Sequence, residues 1–238
     1  MNFIKQTLIM ITIIFIVLLY CKLIKFNDSK TKINYKENYF IIFSIVIFIC
    51  MVSSTIYLII IKNYFSEVYK NNKIVFMLFA QLLILLPMLI HIFYNGEKIN
   101  TIGITSENFL KSLILGVLLI GVYYLMKLKL YGNRETNITI YNLMYFLIVG
   151  IGEEILWRGY AQNRLIYKFG KLRGLLLTAL IFSVIHIPQR IIILGLDLKG
   201  VIMSIFFIMP ISITLGYIAY KTKNIITSSI LHTIADLI

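Results

Sequence analysis

The segment YFIIFSIVIFICMVSSTIYLIII, Tyr39 to Ile61, contains no charged residue. A helix crosses the hydrocarbon of a bilayer with roughly 20 predominantly apolar residues, so this one stretch is long enough to span. Its polar members are Ser, Thr, Cys and Tyr only, and the hydroxyls can bond back to their own helix. Comparable runs recur from one end of the chain to the other. Read against charged and turn-forming breaks, they predict eight helices, at about 3–22, 39–61, 74–94, 109–131, 139–167, 173–187, 200–220 and 224–238. None of the ten-residue segments of alternating polarity that a membrane barrel needs is evident.

Composition agrees. Hydrophobic residues make up 60% of the 238, charged residues 14%, and mean hydropathy is +0.90, too little polar surface to cover a water-soluble globule. The expected fold class is all-α, a polytopic membrane helix bundle of about eight transmembrane helices forming a single integral membrane domain over 1–238. Pro87 and Pro210 fall inside apolar runs and predict local bends, while Pro188 predicts the end of the sixth helix. Cys21 and Cys50 both lie in apolar stretches and suggest neither a disulfide framework nor a thiolate metal site. The formal net charge of +13 comes from lysines in short loops, without the basic stripe interleaved with aromatics that nucleic acid would require, so no nucleic-acid partner is expected. Loops on one side hold 13 Lys and Arg, from Lys22 through Lys223, against 9 on the other, from Lys5 through Lys199. That bias predicts that both termini face away from the cytoplasm. Short loops, and a richness in Ile, Lys, Asn and Tyr that fits an AT-rich genome, suit a bacterial cytoplasmic membrane.

Ionisable groups inside apolar helices are costly and mark function. Seven of the ten acids lie in loops or at helix edges, which leaves Glu153, Glu154 and Asp236; all three histidines, His91, His186 and His232, lie in or at the ends of apolar runs. Glu154 and Arg158 are four apart on the fifth helix and share a face. Glu153 is turned about 100° away from Glu154 by helix geometry and is left free to accept a proton. His186 ends the sixth helix, four residues after Phe182. His232 and Asp236 project together from the last. His91 has no acidic neighbour in sequence and reads as a packing residue.

Such a set suits hydrolysis by activated water, with Glu153 as base, His186 orienting the water, and His232 with Asp236 facing the oxyanion. The residues leave metal participation open. A zinc site could be built from Glu153, His186 and His232, but the chain has no His-Glu-x-x-His helix, and metal-free hydrolysis is the favoured expectation.

The ordered set Glu153-Glu154-x-x-x-Arg158, Phe182-x-x-x-His186 and His232-x-x-x-Asp236 resembles the three motifs of the CAAX-protease and bacteriocin-processing (CPBP, or Abi) membrane family. The motifs place the catalytic core at about 139–238, whereas the first four helices carry no matching motif. The resemblance implies an intramembrane endopeptidase acting on a membrane-associated peptide or protein, with the first glutamate as base, the histidines as its partners and the last motif as oxyanion support. Asp236 departs from the asparagine that often ends the last motif, and it can donate to an oxyanion only when protonated. A non-catalytic immunity or scaffold protein of the same family is the alternative. A proton- or ion-coupled transporter is a third reading, weakened by the lack of internal repeats.

Overall fold

The computed structural model describes residues 3–27, 39–132 and 138–238. Lys30, Lys32, Lys36 and Arg134, counted above for orientation, lie outside the described residues, as do Asp28, Glu37 and Glu135. Every described element is helical: α1 (Phe3–Leu23), α2 (Tyr39–Tyr64), the short α3 (Ser66–Asn71), α4 (Lys73–Tyr94), a 3-10 turn (Ile99–Ile102), α5 (Phe109–Tyr131), α6 (Ile140–Glu154), a π segment (Ile155–Gln162), α7 (Asn163–Phe169), α8 (Lys171–Ile185), the short α9 (Ile187–Ile192), α10 (Leu198–Thr222) and α11 (Ile226–Leu237). The protein is a polytopic bundle in which, among the described residues, seven helical stretches are long and apolar enough to cross a membrane, with α6, the π segment and α7 counting as one and α8 with α9 as another.

The last predicted stretch is observed as the shorter helix α11. Over its 12 residues, α11 runs about 18 Å at 1.5 Å per residue. Its start is fixed by Asn224, whose Oδ1 accepts the backbone N–H of Ile226 at 2.9 Å just after Lys223 turns through a positive φ of 54°.

The two interior prolines leave α4 and α10 continuous. In each, the carbonyl three residues before the proline takes a side-chain donor from another helix: Cys50 Sγ reaches Ile84 O at 3.2 Å, and Gln6 Nε2 reaches Phe207 O at 2.9 Å. Neighbouring helices thus re-satisfy backbone that proline disturbs, as lipid-embedded chains must. Pro188 falls in the first turn of α9, where its missing N–H costs nothing.

Two apolar cores hold the bundle. One joins Phe43, Met88, Ile92, Trp157, Tyr160 and Phe182 of α2, α4, the π segment and α8; the other joins Ile13, Leu115, Leu119, Leu215, Ile218 and Leu231 of α1, α5, α10 and α11. Where α6 meets α11, Gly150 allows close approach: a Cβ there would stand 2.6 Å from Thr233 Oγ1 and 3.2 Å from Ser229 O. Small residues at such crossings are the usual device of membrane helix packing.

A buried polar cluster ties the N-terminal helices to α7. Arg164, fully buried, pairs with Glu97, donates from Nε to Tyr39 Oη at 2.6 Å and stacks 4.0 Å over the ring of Tyr160. Tyr160 in turn bonds His91 Nδ1 through its hydroxyl at 2.7 Å. His91 is therefore a packing residue with a specific polar partner.

Candidate active site

The fifth predicted helix does not remain an α-helix. After Glu154 it widens into the eight-residue π segment before resuming as α7. Such i→i+5 turns are rare and often sit at functional sites. Contacts on both flanks hold it. Gln162 Nε2 donates to Gly216 O at 2.9 Å and Arg158 Nη2 to Ser212 Oγ at 3.1 Å, both on α10. On the opposite flank Gly159 lies so close to the 3-10 turn that a Cβ would stand 2.1 Å from Ile102 O.

Glu154 and Glu153 are separated as their helical angle requires. The Glu154 carboxylate is fully buried, and its Oε1 meets both Arg158 Nη1 at 3.1 Å and His232 Nδ1 at 3.0 Å. Arg158 is also buried, with its guanidinium 4.4 Å over the ring of Phe182. Glu153 points the other way into a cavity of about 370 Å³, whose lining also includes Phe182, His186, His232 and Asp236. Glu153 Oε2 makes no hydrogen bond among the described residues, and the nearest basic atom is His232 Nε2 at 3.7 Å.

The imidazoles are oriented by their outer nitrogens. His186 Nδ1 lies 2.7 Å from Phe182 O; a carbonyl only accepts, so Nδ1 carries the hydrogen and Nε2 is left with its lone pair. His232 uses Nδ1 toward Glu154, which turns Nε2 toward Glu153 at 3.7 Å and Asp236 at 3.6 Å. Those two gaps exceed a direct hydrogen bond. Phe182 stands between the histidines, its ring centroid 4.8 Å from that of His186 and 5.9 Å from that of His232.

Of the six residues singled out in the sequence, Glu153, His186, His232 and Asp236 share the cavity, while Glu154 and Arg158 lie behind it and fix His232. Among the described residues no three His, Cys, Asp or Glu side chains are grouped to hold a metal ion.

Gln81 was missed from sequence. This α4 residue, 8% exposed, lines the cavity and lies against Gly152, where a Cβ would stand 2.1 Å from Gln81 Oε1. Its Nε2 has only the weak acceptor Met77 Sδ, at 3.8 Å. An amide in an otherwise apolar helix, opposite a glycine preceding the paired glutamates, was the available signal.

Residues 135–238 match the family model described as type II CAAX prenyl endopeptidase Rce1-like. This stretch contains all three motifs, and α1 to α5 lie outside it. No curated protein and no solved structure matches the chain.

Proposed function

We propose, because residues 135–238 match the Rce1-like type II CAAX prenyl endopeptidase family model, that this protein is an integral membrane endopeptidase that hydrolyses a peptide bond in a lipid-anchored or membrane-inserted substrate, in the cytoplasmic membrane of a bacterial cell. The observation that carries the proposal is that Glu153, His186, His232 and Asp236, from three helices separated in sequence, line one cavity among apolar helices.

In the proposed reaction a water lies between Glu153 and the free Nε2 of His186. Glu153 takes a proton from it as the oxygen attacks the carbonyl carbon. The electron pair of the C=O bond moves to oxygen, and the oxyanion is met by Nε2–H of a doubly protonated His232, whose Nδ1–H is held by Glu154, with protonated Asp236 beside it. When the tetrahedral intermediate collapses, the C–N bond breaks and Glu153 returns its proton to the departing nitrogen. Arg158 and Glu154 do not touch substrate in this scheme; they hold the His232 ring. No step is routed through a metal.

The test is processing of a lipid-anchored reporter by protein reconstituted in liposomes. Glu153→Gln and His186→Ala should each abolish cleavage while insertion and thermal stability persist, whereas His232→Ala should abolish cleavage and also lower stability, because buried Glu154 loses a hydrogen-bond partner. Full processing by Glu153→Gln would sink the proposal. Protection or partner binding that survives a Glu153→Ala, His186→Ala double variant would instead favour the immunity or scaffold reading.

A further inference from the structure

The α4 wall of the cavity carries a polar group that the hydrolytic scheme does not use. The charged and imidazole groups of the lining, Glu153, His186, Arg190, His232 and Asp236, all belong to the stretch that matches the family model, whereas Gln81 lies outside it. Of the two carboxamides in the lining, Gln189 is exposed, while Gln81 is 8% exposed on a helix otherwise apolar from Ile74 to Ile90. The protein leaves this amide almost unused. Nε2 reaches only Met77 Sδ at 3.8 Å, a weak acceptor one turn earlier, and Oε1 accepts no hydrogen bond among the described residues. A desolvated amide without strong partners is costly, and lipid offers none.

The carboxamide is placed beside the proposed base. Oε1 lies against Gly152, 2.1 Å from where a Cβ would stand, so only glycine at that position lets it approach. Gly152 immediately precedes Glu153, and neighbouring Cα atoms are about 3.8 Å apart. A peptide entering this cavity leaves water behind, and the apolar walls cannot satisfy its N–H and C=O groups. In an extended chain the N–H and C=O of one residue point to the same side, which is how paired strands exchange two bonds. A carboxamide presents one N–H beside its carbonyl oxygen, the complement of that pair, and its second N–H can stay on Met77 Sδ.

Resting on the peptidase reading of the same cavity, we infer that Gln81 is a substrate-binding residue: its carboxamide pairs with the backbone N–H and C=O of one extended substrate residue and sets the register of the peptide against Glu153. The helices outside the family match thereby contribute to the site.

Binding to the non-cleaving Glu153→Gln chain in lipid nanodiscs tests this without requiring catalysis. The probes are an N-palmitoylated, dansylated peptide of apolar residues and a series in which each backbone amide in turn is replaced by an ester, which has no N–H. With Gln81 intact, one ester position should weaken binding about tenfold, the effect of leaving a buried partner unpaired. Gln81→Met, of similar length, should weaken the all-amide peptide by a like factor, yet change affinity for that one ester by less than about twofold. A merely structural role for Gln81 would give losses that multiply at every position. Unchanged binding of the all-amide peptide by Gln81→Met, losses that multiply throughout, no ester-sensitive position, or no binding by any peptide overturns the inference. The ester series needs no substitution at position 81, and Gln81→Leu repeats the cycle where the methionine variant folds poorly. Coupled losses in a chain that cleaves no reporter with Glu153 intact would refute the peptidase and spare the peptide-binding role. Cleavage by the intact chain with multiplying losses would refute the role of Gln81 alone.

Discussion

The two adjacent glutamates should separate cleanly when each is replaced by glutamine. In Glu154→Gln the buried charge opposite Arg158 disappears. The guanidinium, 1% exposed, is left with Ser212 Oγ at 3.1 Å and its carbonyl at 3.4 Å. Removing one partner of a buried pair costs about 3–5 kcal/mol, a large share of the roughly 5–15 kcal/mol that holds a protein folded. The same carboxylate orients His232 at 3.0 Å, so activity falls as well. Glu153→Gln is the opposite case. Glu153 accepts no hydrogen bond among the described residues and its side chain is 25% exposed, so the neutral amide should leave stability unchanged or raise it. Loss of the general base should cost about 10²- to 10⁴-fold in rate. Unfolding can be followed by intrinsic fluorescence, because Trp157 is the one tryptophan of the chain and packs 5.9 Å from Phe182 beside the cavity. Denaturant titration of the two variants, paired with reporter cleavage, gives both readouts. A Glu154→Gln protein as stable as the parent, or a Glu153→Gln protein that loses as much stability as Glu154→Gln, would refute this division of roles.

Further outcomes follow from neighbouring contacts. Gly152→Ala drives a methyl group into the Gln81 carboxamide, 2.1 Å from the Cβ position; displacement beside Glu153 should lower kcat by about tenfold, while overpacking costs about 1–3 kcal/mol of stability, both readable on the same preparation. Arg164→Met removes the partner of buried Glu97 and should destabilise the protein by about 3–5 kcal/mol, with Glu97→Gln in the same chain recovering part of the loss in a double-mutant cycle. If hydrolysis runs on Glu153 without a metal, prolonged dialysis against EDTA followed by assay in metal-free buffer should leave the rate within about twofold, since no Lewis acid is then being removed; recovery of a lost rate by added zinc would contradict it.

Much of this was readable in the sequence because bilayer physics leaves few choices. Charge-free runs such as Tyr39 to Ile61 must be helices, and the eight predicted stretches coincide closely with observed ones. The acids and histidines inside those runs, picked out by cost alone, include four that line the cavity. What could not be read depends on contacts across the bundle. Glu97 looked like a loop residue because its partner Arg164 is 67 positions away. Arg190 was counted only as a loop charge, because nothing in its neighbours says that it faces a cavity. The π segment was hidden because Ile155 to Gln162 has ordinary helical composition; it is held wide by α10 and the 3-10 turn, neither adjacent in sequence.

The paired glutamates also explain why the wall behind the cavity is so fully cross-bonded. Two consecutive carboxylates cannot face one space on a helix, since each residue turns by about 100°, so placing one in the cavity commits the other to the protein interior. A buried carboxylate there needs a cation and a hydrogen-bond donor, and Arg158 and His232 supply them. His232 is then shared: Nδ1 satisfies Glu154 while Nε2 faces the cavity. The structural demand created by the second glutamate is thereby what fixes the ring that faces the reaction proposed for the first. On this reasoning a single substitution at Glu154 disturbs fold and chemistry together, because the same carboxylate pairs with Arg158 and orients His232.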